Sequence, residues 1–188
     1  MNPKVHVLLK KEELDSQRLP GKVVVVLDVL FATSSMVTAL AHGAAEVVPT
    51  LDGEAARAEA GRRPPGSCVL SGELNAVTLD GFAHPTPLAL LGEALAGRSL
   101  VYSTTNGTVA VRKAAEADHV WAGALLNGRA VAERVERLAG DRTVLIVCSG
   151  SADHFNLEDF YGAGQLVSLL AAGGRGRELS DAAEAARP

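Results

Sequence analysis

No stretch of the 188 residues approaches the ~18 to 20 consecutive apolar residues of a membrane span, so the chain reads as one without membrane partners. The first residues, Met1-Asn2-Pro3-Lys4, lack the apolar core of a signal peptide, which makes the cytoplasm the expected location. Positive charge is also sparse: 18 Lys and Arg stand against 22 Asp and Glu, scattered to a net −4, and no basic face suggests nucleic acid. Only two cysteines are present, Cys68 and Cys148, far apart and each at the edge of an apolar run, which reads as two buried, reduced thiols. Three signatures are missing as well. No GxGxxG follows a strand, no GxxxxGK[ST] occurs, and there is no GxSxG elbow, which removes the dinucleotide, P-loop and serine-hydrolase readings.

What remains is an ordinary globular mix, 47% apolar and 21% charged, long enough for one domain with a substantial core. Its centre is Val23-Val24-Val25-Val26-Leu27-Asp28. Five apolar residues, four of them β-branched, read as a strand buried on both faces, as in a parallel sheet. Asp28 closes that strand, and Thr33, Ser34 and Ser35 open a helix that Gly43 ends. A carboxylate at the carboxyl end of a buried strand, beside a helix start, lies where open α/β folds place their sites.

Similar units follow along the chain. Strands are predicted at Val5–Leu9, Ala45–Pro49, Ser67–Ser71, Ser99–Ser103, His119–Ala122 and Thr143–Cys148. Helices are predicted after Asp52, from Pro87 to near Gly97, from the Asn106 region to about Ala117, over Gly128–Leu138, and from Asn156 to near Gly173. The alternation predicts an α/β layered sandwich with a largely parallel sheet flanked by helices, forming a single domain over residues 1–172. Residues 173–188 read as a flexible connector, Gly173-Gly174-Arg175-Gly176-Arg177, and a short C-terminal helix with little to pack against.

Four strand ends carry related chemistry, and in one parallel sheet they would share an edge. They hold Asp28 with Thr33 and Ser34; Ser71, Gly72 and Glu73; Ser103 through Thr108; and Ser149, Gly150 and Ser151 with Asp153, His154, Glu158 and Asp159. Converging carboxylates, Asp28, Glu73 and Asp159, suit a hard cation such as Mg²⁺. Hydroxyls, amides and helix starts suit phosphate, and Thr104, Thr105, Asn106, Gly107 and Thr108 form the densest such run, with Gly150 a further backbone donor. Together they predict a metal-assisted phosphoryl site. Cys148 is a weak nucleophile candidate, since residues 149–155 contain no arginine. Asp28 as a phosphate acceptor lacks a second aspartate, because Leu30 stands two residues on. His84 and His154, on site loops, are the candidate proton donors.

These motifs occur in a familiar order: Asp28-Val29-Leu30-Phe31-Ala32-Thr33-Ser34, Gly72-Glu73, Thr104-Thr105-Asn106-Gly107-Thr108, Leu126-Asn127, Cys148-Ser149-Gly150 with Leu157-Glu158-Asp159, and Ser180-Asp181-Ala182-Ala183. The chain resembles the 2-phosphosulfolactate phosphatase (ComB) family over nearly its whole length. The resemblance implies an α/β, Mg²⁺-dependent acid phosphatase that converts 2-phospho-3-sulfolactate to 3-sulfolactate and phosphate, a step towards coenzyme M. In these terms Asp28, Glu73 and Asp159 would hold the metal, directly or through water. Thr33, Ser34, Thr104, Thr105, Asn106, Gly107, Thr108 and Gly150 would bind a small anionic phosphomonoester. The family pattern has arginine where Phe31 stands, a basic glycine-rich run in place of Leu74-Asn75-Ala76, and a different segment in place of Gly81–Pro87. A phosphatase for another phosphomonoester and a non-catalytic anion-binding protein therefore stay open as alternatives, as does a homodimer.

Overall fold

The computed structural model describes residues 3–187. Among these residues nine strands fall into two sheets rather than one. The first has the order β7-β2-β8-β1-β9, from His119–Gly123, Val23–Leu27, Val144–Cys148, Lys4–Leu8 and Glu178–Leu179, and every pairing in it is parallel. The second has the order β3-β6-β4-β5, from Glu46–Thr50, Ser99–Ser103, Cys68–Leu74 and Val77–Thr78; only β5 is antiparallel, in a hairpin with β4. The α/β class and the parallel pairing agree with the sequence pattern. The single shared edge does not, because alternation of strands and helices does not say which strands pair.

Alternating faces of β2 explain the layers. Val23, Val25 and Leu27 pack with α5 (Gly128–Leu138) and α6 (Leu157–Ala172), while Val24 and Val26 meet Ala110 and Ala114, beside α4 (Gly107–Lys113). All five β2 residues are at most 2% exposed, which is why polar residues are absent there. Helix α4 and helix α1 (Ala32–Ala41) lie between the sheets, touching β7 on one side and β3 on the other. Helix α2 (Gly53–Gly61), capped by the Asp52 carboxylate on Ala55 N–H at 2.8 Å, covers β4 and β6 from outside.

Several predicted elements change. Strand β4 runs on through Glu73, which therefore sits in a strand, and Asn75-Ala76 turns it into β5. The helix expected from Pro87 to Gly97 is a single turn, α3, Pro87–Leu90. The tail differs most over its described part, 173–187. Strand β9 pairs with β1, and α7 (Asp181–Ala186) packs on α6 and β1 with Ala183 fully buried. The reason lies in composition: Leu179, Ala182, Ala183 and Ala186 form an apolar stripe against the first core, and Gly164, lacking a side chain, lets the backbone at Ala186 lie against α6. Arg177 fastens the preceding segment to the Gly140 and Arg142 carbonyls, each at 2.9 Å.

Candidate active site

The carboxyl ends of the two sheets face one cleft of 550 Å³. The first sheet contributes Asp28 after β2 and Gly150 after β8; the second contributes Glu73 from β4 and Thr104, Thr105 and Asn106 after β6. Asp28, Glu73, Glu158 and His84 are the ionisable side chains of the wall other than the Tyr102 phenol, and none of its lining residues is lysine or arginine.

Asp28 occupies a recess between two helix starts. Its Oδ1 accepts from Ala32 N–H at 3.2 Å, and Gly107 N–H also stabilises the carboxylate. Burial pushes this carboxyl up to about 7, and the charges of Asp159 and Glu73 add to the shift. Gly107 must be glycine: a Cβ there would overlap Ala32 and stand 2.6 Å from Asp28 Oδ2.

Asp159 stands behind the cleft wall and is 1% exposed. Oδ1 accepts from Val29 N–H at 2.8 Å, and Oδ2 accepts from Ser149 and Gly150 N–H at 3.1 and 3.3 Å. It thus ties the end of β2 to the end of β8. Burial still pushes its carboxyl up to about 6, with the charge of Glu158 contributing, against the opposite pull of the three N–H donors. Glu73 makes a parallel arrangement on the other side. Oε1 accepts from Thr105 N–H at 2.6 Å, and Oε2 accepts from Thr105 Oγ1 at 3.0 Å and Ala76 N–H at 2.6 Å.

Four expected phosphate ligands are not on the cleft wall: Gly107, whose N–H serves the Asp28 carboxylate, and three hydroxyl residues that face elsewhere. Thr33 Oγ1 donates to Asp28 O at 2.9 Å and accepts from Asp28 N–H at 2.9 Å, and Ser34 Oγ donates to Val29 O at 2.8 Å. Thr108 Oγ1 donates to Thr104 O at 2.9 Å and accepts from Thr104 N–H, also at 2.9 Å. None of the three lines the cleft, because a buried hydroxyl at a helix start closes local backbone bonds first. Thr104, Thr105, Asn106 and Gly150 do line it. Gly150 takes φ +65°, and a Cβ on it would meet His154 O at 2.7 Å. Cys148 is buried, and that burial, with the charge of Asp159, pushes its thiol well up, which argues against a nucleophile.

The sequence pattern did not single out Tyr102, Asn156 or Lys11. Tyr102 lines the cleft and donates to Pro85 O at 2.6 Å. Lys11 sits behind Asn106, 2.9 Å from its Oδ1. Its position three residues past β1 was the available signal, since that places it at the same end of the sheet as Asp28.

The donor set fits Mg²⁺ in part. Among the described residues no three His, Cys, Asp or Glu side chains gather closely enough to hold a metal by themselves, so the expected trio is not one shell. Asp159 and Glu73 each already accept three hydrogen bonds, whereas Asp28 keeps oxygen lone pairs for a cation amid three carboxylates. Mg²⁺ needs only one or two protein carboxylates when water and a substrate phosphate complete its octahedron.

Such a frame, parallel strand ends presenting a recessed carboxylate, an amide and hydroxyls to one cleft, is that of an α/β small-molecule enzyme. A family model described as 2-phosphosulpholactate phosphatase matches residues 8–188, and the chain belongs to that family. It is similar to a probable 2-phosphosulfolactate phosphatase of Symbiobacterium thermophilum, 42% identical over 92% of this chain and 73% of the relative. Proteins of the same description from Clostridium beijerinckii and Clostridium perfringens strain SM101 are 32% and 36% identical, over 97% and 98% of this chain and 76% and 74% of theirs. No described helix is long and apolar enough to cross a membrane.

Proposed function

We propose that the cleft hydrolyses a small phosphomonoester, 2-phospho-3-sulfolactate, to 3-sulfolactate and phosphate with the help of Mg²⁺, a step towards coenzyme M. The observation that carries this reading is the recessed, under-neutralised Asp28 on the cleft floor. An acidic wall opposes a dianionic phosphate unless a divalent cation stands between them, and Asp28 is the carboxylate free to hold it. Bound there, Mg²⁺ would supply Lewis-acid charge to the phosphoryl oxygens. The chain's own groups do the rest. Asn106 offers an amide donor from the head of α4. Glu73 holds the Thr105 backbone, and Asp159 holds the 149–150 turn beside Val29, so both sides of Asp28 stay fixed. His84 lines the cleft with Nδ1 on Thr86 Oγ1 at 3.1 Å, which leaves Nε2 to protonate the leaving oxygen. The two free cysteines suit a reducing cytoplasm, where we place the reaction.

One observation favours a second reading, hydrolysis of a less anionic ester. The cleft wall lacks lysine and arginine, and the exposed Leu30 and Phe31 stand on it. A sulfonate normally calls for guanidinium or ammonium donors. Phosphate release with Mg²⁺, across a panel that includes 2-phospho-3-sulfolactate and uncharged alkyl and aryl phosphates, separates the two. Silence across the panel, or equal rates for wild type and Asp28→Asn, sinks both.

A further inference from the structure

Lys11 opens a short 3₁₀ turn, Lys11–Glu13, just beyond β1, and is only 7% exposed. A lysine is seldom this buried without partners for its ammonium. Here there are three, one for each proton: Glu12 Oε1 at 2.8 Å, Asn106 Oδ1 at 2.9 Å and Ser149 O at 3.4 Å. The backbone is also fixed on both sides. Lys11 N–H donates to Ser149 O at 3.4 Å, and Lys113 Nζ donates to Lys11 O at 2.9 Å. Lys11 does not line the cleft, and its saturated ammonium has no proton left for a ligand.

Asn106 precedes α4 as the residue that would cap the helix, but its side chain makes no cap bond, as is also true of Asn127 before α5 and Asn156 before α6; its amide is spent on Lys11 instead. An ammonium is donor-only, so the atom facing Lys11 must be the amide oxygen. The NH₂ group is therefore turned away from Lys11. It belongs to a residue on the cleft wall and has no partner among the described residues.

We propose that Lys11 is a positioning residue: it fixes the Asn106 amide with its NH₂ presented to the cleft, where that group donates to a phosphoryl oxygen. The positive charge on the oxygen side polarises the amide and makes its NH₂ a stronger donor. The assignment rests on reading the cleft as a phosphomonoester site. It accounts for a buried lysine in a region whose cleft wall carries no cation.

The test uses the full chain and inorganic phosphate with Mg²⁺. The Asn106 side-chain NH₂ resonance is assigned by its loss in Asn106→Ala and followed by two-dimensional ¹H–¹⁵N NMR. Phosphate is expected to shift it in wild type. Lys11→Met is expected to shrink that shift and weaken phosphate binding about tenfold, with Lys11→Arg recovering most of it. Added to Asn106→Ala, Lys11→Met is expected to cost less than a further twofold, because its effect passes through the amide. A full additional tenfold loss in the double variant overturns the proposal. So does a wild-type Asn106 signal that phosphate leaves unmoved, a result that needs no Lys11 variant to fold. If no phosphomonoester is turned over but phosphate still shifts the signal in a Lys11-dependent way, the positioning role stands and the hydrolase reading falls.

Discussion

Asp159 and Glu73 do similar work on opposite sides of the cleft. Each carboxylate accepts three hydrogen bonds and ties a loop to a strand end, one in the first sheet and one in the second. They differ in their surroundings. Asp159 is sealed under the β2 and β8 termini, and all three of its donors are backbone N–H groups. Glu73 is half-buried on a strand that leads into an exposed hairpin, and one of its donors is a hydroxyl. Water can replace the donors of Glu73 but not those of Asp159. The same bonding count therefore makes a rigid floor on one side and an adjustable wall on the other.

The largest test strikes the floor where it meets the ligand. Asp28→Asn is expected to lower phosphate release by about 10³-fold or more, several kcal/mol at about 1.4 kcal/mol per tenfold, while melting at or above the wild-type temperature near pH 8. Next comes the contrast itself. Asp159→Ala strands three buried N–H groups and is expected to cost about 3 kcal/mol or more, against about 1 kcal/mol for Glu73→Ala. Equal losses in urea unfolding would mean that the two carboxylates are equally structural. Gly107→Ala drives a methyl into Ala32 and Asp28 and is expected to cost about 1–3 kcal/mol, together with most of the activity.

A pH series in chelator sharpens the picture further. The carboxyls of Asp28 and Asp159 are raised to about 7 and about 6, so the folded chain keeps protons that the unfolded chain releases. Stability then falls as pH rises from about 4 to about 7, with a smaller fall in Asp28→Asn. A melting temperature that climbs across that window would contradict it. The smallest effect is on the rim. Ala76 and Ala152 hold φ +64° and +47°, and replacing either with glycine is expected to stabilise by about 0.5–1 kcal/mol in the same unfolding assay.

Much of this was legible from residue order alone. Val23–Leu27 reads directly as a buried strand, because an unbroken apolar, mostly β-branched run leaves few other options, and Ser99–Ser103 reads as a strand whose full burial only the structure shows. Asp28, Glu73, Thr104, Thr105, Asn106 and Gly150 were all singled out, and all reach the cleft. Hydroxyl direction was not legible: Thr33, Ser34 and Thr108 share the composition of a phosphate loop but spend their bonds on nearby backbone. The split into two sheets was hidden because parallel pairing is set by tertiary packing. The Asn75-Ala76 turn was hidden because alanine is an unusual residue at positive φ. Beyond its place just past β1, Lys11 carries no signal in the sequence pattern, since its value depends on Asn106, distant in sequence and adjacent in space.

Two turns overhang the cleft, Asn75-Ala76 from the second sheet and Ala152-Asp153 from the first, the latter closed by Ser151 and His154. Neither turn contributes a side chain to the buried cores. Mutations there can accumulate, lengthen a loop or exchange charge without disturbing either register. The rim can thus be refitted for another ester while Asp28 and its supports are left as they are.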